Sequence, residues 1–193
     1  MVAASPLRRA TAADLARLPP DARAEVIDGE ILEKASPSAE HADAQGSVIS
    51  HLRGPYHRRP GGSQPGGWWI LPEVEIELTQ HDVYRPDVAS WRRDRTPERP
   101  RDRPVMTRPD WICEVLSPSN ASNDLVKKLG VYHRSHVDHY WIVDPQNQTL
   151  TVLRWTPDGY LAALTAGRGD RVRAEPFDAV ELPVGALFGD EED

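Results

Sequence analysis

The sequence predicts an α+β fold with a central mixed sheet, and three observations point there. Segments of strand character at 71–79, 83–91, 111–116 and 140–143 are interleaved irregularly with three helical stretches, rather than alternating with them one for one. Asp28-Gly29 separates two four-residue apolar–acidic runs, the sign of a two-residue N-terminal hairpin. After the last helical stretch, further strands are expected around Pro157-Asp158-Gly159 and near Val180, so the sheet gains C-terminal strands.

Taken in order, 11–18 reads as a short helix with Thr11 as its cap and Pro19-Pro20 as its stop. The hairpin strands are 24–27 and 30–33. A helix is expected over 39–53, with Ala42, Val48, Ile49 and Leu52 as a partial apolar stripe, ended by Gly54-Pro55. Residues 58–67, rich in Pro and Gly, form a loop. In 71–79, Val74, Ile76 and Leu78 alternate with Glu73, Glu75 and Glu77, the last two on a solvated face; 83–91 returns beside it and carries Asp87. The stretch 92–110 is a long loop too polar to bury much, and such loops are usually functional or disordered. Strand 111–116 is apolar except at Glu114. A polar turn at 117–123 leads into a helix from Asp124 to about Ser135, then to a buried strand closed by Asp144-Pro145. No linker divides the chain, which reads as one domain over 1–188 with an acidic, disordered tail at 189–193.

Composition excludes several classes. No apolar run approaches the ~20 residues of a membrane span, and residues 1–20 lack the apolar core of a signal peptide. One cysteine, Cys113, precludes an internal disulfide and suits a reducing cytoplasmic setting. The net charge of -7 disfavours a general nucleic-acid binder. Its distribution is uneven, however: 92–108 holds seven arginines against Asp94, Glu98 and Asp102.

Chemistry concentrates in three short pieces: Arg85-Pro86-Asp87, Cys113-Glu114-Val115 and Asp124-Leu125-Val126-Lys127-Lys128. Two strand-borne carboxylates suit a hard divalent cation, and a lysine beside them suits a water or a developing anionic charge. Glu114 interrupts the most apolar strand, where a carboxylate is costly unless paired, protonated or metal-bound; a solvent-facing edge position is its alternative. On an α-helix, Leu125, Leu129 and Tyr132 share the face that packs on the sheet, with Lys128 at its border and Lys127 outward. An ordinary surface pair between Asp124 and Lys128 is the competing reading.

Together these pieces resemble the PD-(D/E)xK nucleases, and within them a bacterial family of restriction-endonuclease-like proteins catalogued as a domain of unknown function. The resemblance runs through Val26-Ile27-Asp28-Gly29-Glu30-Ile31, Ser36-Pro37-Ser38 with His41, Leu71-Pro72-Glu73-Val74 and Arg85-Pro86-Asp87-Val88. It continues through Glu114-Val115-Leu116-Ser117-Pro118-Ser119, Asp124 with Lys128 and Tyr132, and 140–145. It implies a restriction-endonuclease-like core and hydrolysis of DNA phosphodiesters. It also implies Mg²⁺ or Mn²⁺ on Asp87, Glu114 and the Val115 carbonyl, with Lys128 as the catalytic cation. The plain motif would place that lysine at position 116, which is Leu here; the resemblance shifts it to the following helix. Glu73, Glu30 and His41 recur in the same segments as secondary members of the cleft.

Arg99, Arg101 and Arg103 are the candidates for phosphate-backbone contact, since a guanidinium offers forked donors. Trp68-Trp69 beside Gly66-Gly67 could stack on a base or pack in the core. His133, His136 and His139 are spaced poorly for one metal and read as solvated. A homodimer would supply two sites for two strands. The rivals to an endonuclease are a non-catalytic DNA-binding or regulatory module on the same fold, and a metal-dependent phosphohydrolase of another substrate.

Overall fold

The computed structural model describes residues 8–19, 21–118 and 123–191. Pro20 of the expected helix stop, most of the polar turn at 117–123, and the last two residues of the tail lie outside the described residues. Within the tail, Asp190 accepts from Arg168 (Nε to Oδ1, 3.0 Å).

Helix α1 (Ala12–Leu15) is shorter than expected; its cap is closed by the Asp14 carboxylate, which accepts the Thr11 N–H at 3.0 Å. Strands β1 (Ala24–Ile27) and β2 (Glu30–Glu33) pair in the predicted register, joined by Asp28 and Gly29 at φ 53° and 81°, both left-handed as a type I′ turn requires. Helix α2 (Ala39–Tyr56) runs past the expected end and takes Pro55 into its last turn. The physical reason is an anchor beyond the proline: buried Tyr56 donates its hydroxyl to the Phe177 carbonyl at 2.5 Å and accepts the Val180 N–H at 3.0 Å.

The two long strands expected at 71–79 and 83–91 are each broken in two. The first becomes β3 (Trp68–Pro72) and β4 (Ile76–Thr79), the second β5 (Asp82–Tyr84) and β6 (Val88–Arg92). Glu73, with φ 51°, turns the chain out of β3, and Arg85-Pro86-Asp87 make the matching break opposite. The halves join different sheets: β2-β1-β5-β4 form a small antiparallel sheet, while β3 and β6 enter the central one.

The central sheet is completed by β7 (Trp111–Val115), β8 (His139–Asp144), β9 (Thr149–Thr156) and β10 (Gly159–Gly167), in the order β10-β9-β8-β7-β6-β3. Only β7 and β8 run parallel, so the sheet is mixed. Alternation along β7 sends Trp111, Cys113 and Val115 to one core and Ile112 to the other. The first core lies under α2, a terminal ribbon of β11 (Arg171–Val172) and β12 (Leu182–Pro183), and a 3₁₀ turn, Val184–Phe188. Phe177 sits centrally there, 5.1 Å from Trp111 and 5.0 Å from Trp68 by ring centroids. The second core lies under the small sheet and α3 (Leu129–Arg134).

Between β7 and α3 the chain winds as a π-helical turn, Asn123–Lys128, instead of the α-helix expected there. The wider turn changes which residues face inward: Asp124 and Lys128 are buried, whereas Leu125 is 41 % exposed and Val126 68 % exposed. The assignment of Leu125 to the packing face is therefore corrected; Leu129 and Tyr132 do pack there. The loop 92–110 is also better anchored than its composition suggests. Buried Val105 exchanges backbone hydrogen bonds with Glu75 and Glu77, and buried Asp110 accepts from Arg95 Nε at 2.7 Å.

Candidate active site

The breaks that split the two long strands deliver Glu73 and Asp87 side by side: the Glu73 N–H donates to the Asp87 carbonyl at 3.2 Å. Asp87 is 1 % exposed. Its Oδ2 accepts the Val115 N–H at 2.7 Å and lies 3.2 Å from His41 Nε2. Its Oδ1 accepts from Lys34 Nζ at 2.8 Å. Lys34 also donates to the Arg85 carbonyl at 2.7 Å and reaches Glu73 Oε1 at 3.5 Å. Gln45, one turn along α2 from His41, donates to the Asp87 carbonyl at 2.8 Å.

Glu114 forms the second half. Its Oε1 accepts from Lys128 Nζ at 3.1 Å and from the Tyr132 hydroxyl at 2.8 Å. The same ammonium lies 3.0 Å from Glu25 Oε2 and 3.1 Å from Asp124 Oδ1. Three buried carboxylates thus converge on one lysine. The migrated cation reaches the acid of β7, and Asp124 is part of the site rather than a surface pair.

This surplus of negative charge governs the electrostatics. Burial pushes the Glu114 carboxyl up to about 8 against the pull of Lys128, with Asp124 and Asp87 adding to the rise. Asp124 is raised for the same first reason. Burial also works to raise Asp87, but the His41 hydrogen bond and the Lys34 charge outweigh it and hold that carboxyl well below the usual range. Lys128 loses by burial yet is held well above its ordinary value by Glu114, Glu25 and Asp124.

The donor chemistry fits a hard divalent cation. A Mg²⁺-type ion takes one or two carboxylates and keeps waters, and the excess of buried acids over ammonium groups leaves charge for it to neutralise. Among the described residues no three His, Cys, Asp or Glu groups gather closely enough to hold an ion by themselves, because the two ammonium groups stand between the acids. Beside the cluster, a cavity of about 460 Å³ is lined by Ser38, His41, Leu116 and Pro118. His41 Nδ1 is buried without a hydrogen-bond partner.

Of the residues singled out in the sequence, Asp87, Glu114, Val115, Lys128, Glu73 and His41 are brought together. Glu30 is not: it is exposed at the turn end of the hairpin. From the open end of that hairpin come Glu25 and Lys34, which sequence reasoning missed. Nothing local marks them, beyond a lone lysine directly after β2 and an acid ahead of two buried residues of β1. Arg103 is engaged elsewhere, donating to Glu75 at 2.7 and 2.9 Å. Glu75, also held by Arg85 at 2.7 Å, is correspondingly not part of a solvated face. Arg99 and Arg101 are exposed at the opposite end of β6 from Asp87. Of the histidines expected in solvent, His136 is exposed, whereas His133 stacks on Trp155 and His139 lies 3.2 Å from Glu175.

Known proteins agree with this architecture. The Uma2 family, described as "Putative restriction endonuclease", matches residues 12–185. A solved structure from Anabaena variabilis ATCC 29413, described as "a putative nuclease belonging to DUF820", superposes with a TM-score of 0.71 at 21 % identity. It covers 92 % of this chain and 97 % of its own, and shows the fold to be shared. No curated protein matches the chain. No helix among the described residues is long and apolar enough to cross a membrane.

Proposed function

The chain belongs to the Uma2 family, and from that premise we propose that it is a metal-dependent endonuclease that hydrolyses DNA phosphodiester bonds at the Asp87–Glu114–Lys128 cluster. The observation that supports this most is the convergence of Glu114, Glu25 and Asp124 on the single ammonium of Lys128, next to a second acid–lysine pair at Asp87. A structural salt bridge needs one partner per charge, and leaving buried carboxylates in excess is costly unless a ligand balances them.

Mg²⁺ or Mn²⁺ held by Asp87, Glu114 and the Val115 carbonyl would supply Lewis-acid polarisation of a phosphoryl oxygen and an acidified water. Lys128, fixed on three sides, places a permanent positive charge where negative charge develops on the phosphoryl group. Tyr132 holds Glu114 in place through its hydroxyl. His41, reaching Asp87 with one ring nitrogen and facing the neighbouring cavity, orients that acid at the side from which a substrate enters.

The test combines calorimetry with cleavage of plasmid and linear DNA. Lys128→Ala is expected to lower turnover by about 10²–10³ while retaining Mg²⁺ binding, and Asp87→Ala to lose both. Equal cleavage and equal Mg²⁺ affinity in the wild type and both variants would overturn the assignment.

A further inference from the structure

A cavity of about 1240 Å³ lies at the other end of β6 from Asp87. At about 3.4 Å per residue the two ends are about 17 Å apart. Its wall carries Arg59 from the loop after α2, Arg92 and Arg93 from the end of β6, and Arg99 and Arg101 from the following loop. Of its two acids, Asp94 and Glu98, the first is already taken by Arg92 at 2.8 Å. Among the described residues Arg59, Arg99 and Arg101 have no carboxylate partner, in a protein whose acids outnumber its bases by seven.

The floor of the cavity is built, not loose. Arg93 lies 3.5 Å over the Trp69 ring, with Nε donating to the Trp68 carbonyl at 3.0 Å, so the remaining guanidinium donors are aimed by a rigid stack. Trp69 is itself pinned through Nε1 to the Thr96 carbonyl at 3.0 Å. Gly66, at φ 62°, allows the 58–67 loop to close onto Arg59: a Cβ there would stand 2.4 Å from the Arg59 carbonyl oxygen. Gly66 thus shapes the arginine loop, while Trp68 packs on Phe177 and Trp69 is covered by Arg93, so neither ring is offered to a base.

The positive charges press on one another. Burial and the neighbouring Arg59 both lower the Arg93 guanidinium, and the His57 imidazole, 5.7 Å from the Trp69 ring, is lowered by burial and by Arg53, Arg93 and Arg99. Like charges held together without counter-charges favour whatever polyanion relieves them.

We infer that this arginine-walled cavity is a second, non-catalytic site that grips the phosphodiester backbone of the substrate nucleic acid about five nucleotide steps, at about 3.4 Å each, from the bond that is cut. The identity of the polyanion rests on the nuclease reading above; the existence of a polyanion site does not. With its rings covered and its donors forked, the cavity reads backbone charge and not base identity.

The test is anisotropy of a fluorescein-labelled 30-base-pair duplex in EDTA, titrated with salt, so that no cleavage is required. Replacing Arg59, Arg99 and Arg101 together by Ala should weaken binding at least about tenfold at ~0.1 M salt and reduce the slope of log K against log salt by about 2–3. Arg103→Ala, which removes a loop charge committed to Glu75, should leave the slope unchanged. An unaltered slope in the triple variant overturns the inference. So does an equal loss in Arg103→Ala, or a triple variant that loses inorganic triphosphate but keeps the duplex. A catalytically dead protein that still shows the expected slope change would sink the nuclease reading and leave the polyanion site standing.

Discussion

Two lysines, Lys34 and Lys128, enter the candidate site from different elements. Each neutralises one acid of the pair, Lys34 at Asp87 and Lys128 at Glu114. Lys34 is 7 % exposed, so its loss would leave the Asp87 carboxylate buried with only His41 and a backbone N–H to balance it. Removing one partner of a buried pair typically costs about 3–5 kcal/mol. Lys34→Ala is therefore expected to lower stability by that order in urea titrations performed in EDTA. A divalent cation on Asp87 would replace the missing charge, so millimolar Mg²⁺ should recover more stability in the variant than in wild type. Identical responses of the two proteins to Mg²⁺ would show that Asp87 takes no cation.

Among the elements, the π-helical turn before α3 and the two broken strands do the positioning. The extra residue per turn lets Asp124 and Lys128 point together into the site while Leu125 and Val126 stay outside. Val126, exposed and without a packing role, is the residue to remove. Its deletion should close the turn to an α-helix and rotate Lys128 away from Glu114. A misplacement of about 1 Å costs about 10²-fold in rate, so cleavage should fall by at least that factor while the circular dichroism of the sheet is retained. Normal cleavage by the deletion variant would mean that the winding is incidental. The strand breaks act in the same sense. Had 71–79 and 83–91 stayed continuous, Asp87 would be one more alternating residue on a flat sheet instead of a carboxylate at the corner between two sheets.

Global stability should carry the mark of the acid excess. The Glu114 carboxyl is raised to about 8 in the fold, against an ordinary 4.5. Between those values the native state holds a proton that the unfolded chain has released, so this contribution is complete below about 4.5 and is lost as pH rises through 8. Asp124, raised as well, acts in the same direction. Asp87 is depressed and acts oppositely: its contribution is present above 3.8 and lost as pH falls below it. The metal-free protein should thus be most stable in weak acid, with Tm in EDTA falling from pH 5 to pH 8. Glu114→Gln, which keeps the shape and removes the titration, should flatten that fall. A wild-type Tm independent of pH over this interval would contradict the excess of buried acids around Glu114.

Much of this was legible in the chain before folding. Asp28-Gly29 announced its hairpin because only a left-handed pair closes that turn, and β7 announced itself by an unbroken apolar run with one acid inside it. The family resemblance singled out Asp87, Glu114 and Lys128, and the fold gathers their side chains in one buried cluster. Periodicity could not reveal where two regular strands break, because the break at Glu73 and Asp87 is set by which sheet each half packs into. Nor could it reveal Glu25, Lys34 or the Trp69–Arg93 stack, whose partners lie 24 to 103 residues away. Local pattern reports the covalent and hydrophobic preferences of neighbours; charge balance in a buried site depends on groups that meet only after the sheets have closed over them.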